Sequence, residues 1–200
     1  MTTFKGLFDP SLISPAIKAT FDAPLTIRPL ERGDYAKGFL DCLRVLTYIG
    51  DVSEERFNER YNWMDTHAKG SYYILVIEDG ERILGTGALI VERKLYVPHL
   101  NPSAHRSYEP RANPGLYSIH NLGTIGHIEE VSVLKDQQGK KLGLKLINAL
   151  DDVAKNIGCY KAILNCSEIN EGFYVKCGYN RQSLEMAHYF EEGKDGYERG

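Results

Sequence analysis

An α/β fold, with a sheet flanked by helices, is what this sequence predicts, and three observations predict it. Strand-like and helix-like patterns alternate along the chain in the order βααββ–βαβαβ. The eight prolines cluster in two places: Pro10, Pro15, Pro24 and Pro29, then Pro98, Pro102, Pro110 and Pro114. Proline removes a backbone donor and interrupts helices and central strands, so 30–97 and 115–200 stand out as two regular blocks. Finally, there is no internal repeat, and no apolar run approaches the ~20 residues of a membrane helix.

In the first block, Asp34 is placed to cap a helix whose apolar positions Phe39, Leu40, Leu43 and Leu46 follow helical spacing. Ser53, with Glu54 and Glu55 in the first turn, starts a second helix that puts Phe57, Tyr61 and Met64 on one face. Tyr72 to Ile77, the turn Asp79-Gly80, and Ile83 to Val91 read as a β-hairpin. The second block opens on a strand, Gly126 to Val133. A helix striped by Leu142, Leu146, Leu150, Val153 and Ile157 follows and stops at Gly158. A short strand over Lys161 to Cys166, a helical turn around Asn170 to Lys176, and a last strand from Leu184 to Phe190 complete the series.

Composition narrows the function. Lys plus Arg number 24 against 27 Asp plus Glu, a net charge of −3, so there is no concentrated basic surface for nucleic acid. Four cysteines, Cys42, Cys159, Cys166 and Cys177, lack any CxxC spacing and read as reduced thiols of a cytoplasmic protein. Met1 to Pro10 shows no signal-peptide pattern. No metal-ligand spacing and no GxSxG nucleophile motif occurs, and no metal is expected.

Gln138-Gly139-Lys140-Lys141-Leu142-Gly143 lies between a strand and an amphipathic helix. Unsatisfied N–H groups at a helix N-terminus can cradle a phosphate or pyrophosphate, and Lys140 and Lys141 add charge. By itself the motif is more often an ordinary turn. It resembles, however, the acetyl-CoA loop of the GNAT N-acetyltransferases, Arg/Gln-x-x-Gly-x-Gly/Ala. Gln138, Lys141 and Gly143 occupy the matching positions, with Lys141 in place of the central glycine. That replacement is expected to be harmless if Lys141 keeps an ordinary helical backbone.

The resemblance extends from about Ile27 to Phe190, to the branch of that family which acts on glucosamine 6-phosphate. It is carried by Leu43-Arg44-Val45-Leu46-Thr47, Val91-Glu92-Arg93-Lys94 and Gly126-His127-Ile128-Glu129-Glu130. Gly158-Cys159-Tyr160-Lys161 and Glu171-Gly172-Phe173-Tyr174-Val175-Lys176-Cys177-Gly178-Tyr179 continue it. It implies a GNAT fold with a central mixed twisted sheet flanked by helices. The implied domain spans 25–190, with an irregular leader over 1–24 and a polar tail over 191–200.

What the resemblance implies for chemistry is direct acetyl transfer from acetyl-CoA to the 2-amino group of the sugar phosphate in a ternary complex. Glu129, Glu130 and Val131 would line the cofactor arm, with a strand N–H facing the thioester oxygen. Because successive strand residues point to opposite faces, only one of the two acids is expected to face the cleft. Residues 138–143 and Asn170 would complete the cofactor contacts. Tyr174 matches the tyrosine that protonates the departing thiolate, a task that suits a phenol still protonated at neutral pH. Thr47, Lys94 and His120 match positions lining the substrate pocket, with Arg93 beside them. Asn165 replaces a carboxylate that orients or deprotonates the amine, leaving deprotonation to solvent or Glu129. Tyr189 stands where an arginine binds the sugar phosphate in some members. The resemblance also implies a homodimer.

An insertion over 97–119 falls beside these substrate positions and reads either as a surface excursion or as a lid. Two other functions stay open at this point: a GNAT enzyme for another small amine, and a non-catalytic acetyl-CoA-binding module. The Arg93-Lys94 pair argues against a cationic acceptor. Tyr174 and Glu129 argue against a module without catalysis.

Overall fold

The structure is a computed structural model that describes residues 5–94 and 123–186. Five strands form one sheet in the order β1 (Thr26–Pro29), β2 (Tyr72–Glu78), β3 (Ile83–Arg93), β4 (Thr124–Val133), β5 (Cys159–Ile163). Neighbours from β1 to β4 are antiparallel, and β4 pairs with β5 in parallel, which makes the sheet mixed. Strand β3 is central and buried from Ile83 to Leu89, the burial expected of a strand covered on both faces.

One face of the sheet carries α2 (Phe39–Leu46) and α3 (Glu54–Thr66). The other carries α4 (Leu142–Asn156), whose Leu146, Ile147, Leu150 and Val153 are fully buried. Gly87 of β3 fits this contact, because a Cβ there would lie 2.9 Å from Leu150 Cδ1. Helix α4 ends as expected at Gly158, whose φ of +86° suits a residue without Cβ. Ser53 caps α3 by accepting from the Arg56 N–H at 3.3 Å. Helix α5 (Glu168–Lys176) follows β5 and packs Phe173 on the first turn of α4.

Several expectations need correction. Asp34 does not cap α2; Gly38 does, with a left-handed backbone. Asp34 sits in a short 3-10 turn (Arg32–Tyr35), 1% exposed, and takes a two-pronged contact from Arg28 at 2.7 and 2.8 Å. Arg28 also reaches Glu78 at 2.7 and 2.8 Å, and Glu78 accepts from Lys37 at 2.7 Å. A buried carboxylate needs such partners, so the aspartate that resembled a cap serves to join β1 to the end of β2. Leu46, read as part of the apolar stripe, is exposed at the end of α2. Strand β5 starts at Cys159, opposite Thr124, and stops at Ile163, short of the predicted Cys166. Of the predicted last strand, Leu184 to Met186 carry no regular structure and the remainder lies outside the described residues.

The leader is not an appendage. Leu7, Phe8, Ile13 and Phe21 are buried in the same core as the sheet. The Leu7 N–H donates to Leu30 O at 2.9 Å, and the Phe8 ring meets Tyr73 at 5.1 Å between centroids. The short helix α1 (Pro15–Lys18) is joined to α4 through Asp152, which accepts from the Ser14 N–H at 2.7 Å. Composition concealed this because its apolar residues are scattered among prolines rather than placed at helical or strand spacing.

Candidate active site

The site begins where two strands part company. Parallel pairing between β4 and β5 runs only from Thr124↔Cys159 to His127↔Ile163, whereas β4 continues to Val133. On the β5 side the second half of β4 therefore has no strand partner among the described residues. Its backbone groups can bind an extended amide-bearing chain, as at any unpaired strand edge.

A bulge lies in the same half. Ala88 of β3 faces Glu129 and Thr86 faces Ser132, so Glu130 and Val131 together oppose Gly87. Glu130 takes a φ of +55°, inside the left-handed region. The bulge overturns the expected alternation of the two acids. Glu129 lies opposite Ala88, and Ala88 and Glu130 both line one cleft between the sheet, α2 and α3. Both acids thus serve the same face. Glu130 is open to the cleft but closely surrounded, and desolvation, reinforced by the charge of Glu129, raises its carboxyl above the usual range.

The cleft has a volume of about 900 Å³ and is lined chiefly by apolar residues, with Arg56, Arg60 and Trp63 on the α3 side. These residues were not singled out from sequence. Their spacing, 56, 60 and 63, is a second helical stripe beside Phe57 and Met64, and it was the available signal.

At the far end of β4, a 3-10 turn (Lys135–Gln137) leads into the loop before α4. Gly139 has φ +78° and nothing would meet its Cβ within 4 Å, so the loop is open on that side. Lys141 takes φ +63° and ψ +14°, not the ordinary helical backbone expected of it. It holds the left-handed conformation that a glycine adopts freely, and the lysine costs about 1 kcal/mol there. Gln138 donates its amide to Val133 O at 3.1 Å and closes the end of β4, while Lys140 donates to Gln137 Oε1 at 2.8 Å. Leu142 is buried, so only its backbone is available. Gly143 serves helix packing: a Cβ there would lie 3.2 Å from Phe173 Cζ.

Helix α5 brings Tyr174 toward the open half of β4. Its phenol pKa is raised, first by burial and then by the nearby Cys166, Cys177 and Glu129. The Tyr174 ring packs against Phe173 and Tyr179, with centroids 5.0 and 6.3 Å away. Tyr179 in turn donates to Asp151 Oδ1 of α4 at 2.6 Å. The two helices that carry the loop and the phenol are therefore joined directly. Asn170 is exposed on the first turn of α5 and donates to Ser167 Oγ at 3.2 Å, and Asn165 is exposed between β5 and α5.

The remaining predicted substrate residues divide. Thr47 is exposed at the end of α2. Lys94 contacts Glu92 Oε1, and Glu92 Oε2 meets His127 Nε2 at 3.0 Å. Arg93 departs from expectation. It points to the opposite face of β3, donates to Gly70 O at 3.1 Å, and its charge is felt by Tyr73 and Cys159. Strand alternation separates it from Glu92 and Lys94. His120, Tyr189 and the insertion over 97–119 lie outside the described residues.

A mixed sheet whose fourth and fifth strands diverge beside a glycine-containing helix entry is the architecture of one class of acyl-transferring proteins. The model of the acetyltransferase (GNAT) family matches residues 39–179, and the chain belongs to that family. The chain is 40% identical to a glucosamine 6-phosphate N-acetyltransferase of Candida albicans, a match covering 80% of this chain and 93% of that protein. The corresponding protein of Arabidopsis thaliana is 35% identical over 82% of this chain and 96% of its own length. The crystal structure of glucosamine-6-phosphate N-acetyltransferase from Arabidopsis thaliana superimposes with a TM-score of 0.67 at 36% identity, covering 84% of this chain and 99% of that one.

Proposed function

We propose that this chain, an acyltransferase of the GNAT family, transfers the acetyl group of acetyl-CoA to the 2-amino group of D-glucosamine 6-phosphate. The observation that carries this reading is the divergence of β5 from the second half of β4 among the described residues, beside Tyr174, with the α4 entry at the end of β4. The acceptor rests on the family relatives, which are named for that sugar phosphate. The open loop at Gly139 and the exposed N-terminus of α4 fit a pyrophosphate, and the open strand edge fits an amide-bearing arm.

When bound, acetyl-CoA supplies an activated acetyl group and a thiolate leaving group. Residues 138–143 would hold its pyrophosphate, Glu129 to Val133 would pair with its arm through the backbone, and Asn170 would add a hydrogen bond. A backbone N–H at the bulge stabilises negative charge developing on the carbonyl oxygen. Tyr174 donates its hydroxyl proton to the departing sulfur, and its raised pKa keeps that proton available at neutral pH. The acceptor amine must lose a proton to attack. Glu130, with its carboxyl raised, sits in the cleft as a base, while Glu129 adds negative charge beside it. Asn165 orients the amine without taking a proton. Thr47, Lys94 and His120 remain the acceptor contacts, with Arg56 and Arg60 supplying cations on the opposite wall.

The chain is further proposed to act as a homodimer in the cytoplasm, on the route to UDP-N-acetylglucosamine. Among the described residues strand β5 is a sheet edge, and Ile163, Ile169 and Val175 beside it expose 36%, 91% and 53% of their surface, an apolar area suited to a second copy. The four free thiols suit a reducing compartment, and no helix among the described residues is long and apolar enough to cross a membrane. Thiol release from acetyl-CoA, measured with glucosamine 6-phosphate, glucosamine and spermidine, tests the acceptor. Release is expected with the phosphorylated sugar at far lower concentration than with the others; preference for spermidine would overturn it.

A further inference from the structure

One charged cluster contains, beside Lys94, two side chains that the chemistry above does not use. Lys94, Glu92 and His127 form a chain in which Glu92 is shared: one carboxylate oxygen meets the Lys94 ammonium, the other meets His127 Nε2 at 3.0 Å. Glu92 lies two residues beyond Ile90 on β3, on the face that Ile90 presents to the cleft, and Lys94 follows just past the end of the strand. His127 is paired directly with Ile90 across the β3–β4 ladder, so its side chain joins that face. Glu129, two residues further along β4, and Glu130 after it are further acids on this face. The three side chains keep 39%, 41% and 33% of their surface open, so a ligand can reach them.

The contact with Lys94 and then that with His127 hold Glu92 below the usual carboxylate range, so it is an acceptor only and His127 Nε2 carries the hydrogen between them. A phosphate ester that binds Lys94 must compete with Glu92 for the ammonium, and Glu92 repels it. His127 is the group that can hold Glu92 when Lys94 leaves.

Resting on the sugar-phosphate acceptor proposed above, we propose that Glu92 and His127 are positioning residues forming an exchange device for Lys94. Glu92 occupies the ammonium before the acceptor binds, and His127 retains Glu92 when the acceptor's phosphate takes Lys94 over. This sets an affinity threshold that only a dianionic group passes readily.

The test is competition by glucose 6-phosphate, which carries the phosphate but no amine, against glucosamine 6-phosphate, with thermal unfolding recorded for each variant. Glu92→Gln is expected to tighten glucose 6-phosphate about tenfold, because a competitor and a repelling charge are both removed. His127→Leu is expected to weaken it several-fold, with His127→Gln, which still donates, near the parent value. Lys94→Met is expected to weaken it tenfold or more. A merely structural cluster moves all three in one direction. Weaker or unchanged binding in Glu92→Gln, with Glu92→Ala agreeing, overturns the exchange device. Failure of the parent protein to bind glucose 6-phosphate overturns the acceptor reading itself.

Discussion

Tyr174 is the residue on which the proposed chemistry turns. Its phenol is raised by burial and by neighbouring negative groups, so it stays protonated through and beyond the neutral range. Tyr174→Phe is expected to lower kcat by about 10²–10⁴-fold with little change in KM for either substrate, measured by thiol release. In the parent enzyme, loss of this acid belongs above the ordinary phenol pKa, so kcat should show no alkaline limb from Tyr174 below that value. Lys141 gives a prediction of opposite character. It occupies a left-handed conformation, and Lys141→Gly is expected to raise unfolding free energy by about 1 kcal/mol in denaturant titration. The departure from the family pattern was legible in the sequence, but its conformation was not, because a lysine at a helix entry ordinarily takes helical angles.

Among the elements, β4 illustrates what periodicity reveals and what it misses. Its existence and its place before the loop at 138–143 followed from alternation and from the helix after it. Its bulge did not, since one extra residue leaves the pattern of Glu129, Glu130 and Val131 looking like ordinary alternation while moving both acids to one face. The early stop of β5 was hidden for a related reason: Leu164 to Cys166 have strand-like composition, and it is the divergence of the partner strand that ends the pairing. Asp34 misled for a third reason, as a capping aspartate and a buried ion-pair aspartate have the same local sequence. The ion pairs it makes hold β1, the turn after it and β2 together. Arg28→Ala, which strands Asp34 and Glu78 without their main partner, is expected to cost about 3 kcal/mol. Glu78 is depressed to about 2 from 4.5, so its contribution is full above its unfolded pKa and lost as pH falls through about 2. Acid unfolding monitored by circular dichroism should therefore begin at higher pH in Arg28→Ala than in the parent.

For the whole molecule, the proline map separated a leader that the fold joins to the core. Burying a side chain such as Leu7, Phe8, Ile13 or Phe21 contributes roughly 1.5–3 kcal/mol, and together they rival the net stability of a typical domain. Phe8→Ala is expected to cost about 3–5 kcal/mol, and removal of 1–24 to abolish cooperative thermal unfolding. The class of fold was legible because it rests on period, and the loop proposed to hold the cofactor was marked by a short motif. The acceptor cleft was less so, because it is assembled from α2, α3 and β4, whose cleft-lining residues are far apart in the chain. The near-neutral net charge says nothing of the cations placed there, Arg56 and Arg60 on one helix. The central claim is that these parts acetylate the 2-amino group of a sugar phosphate. It is tested most directly by ¹³C NMR of the product formed from carbonyl-labelled acetyl-CoA and glucosamine 6-phosphate. The account predicts one amide carbonyl, attached at the C2 nitrogen, for each CoA released. Free labelled acetate, or label on a hydroxyl oxygen, would contradict it.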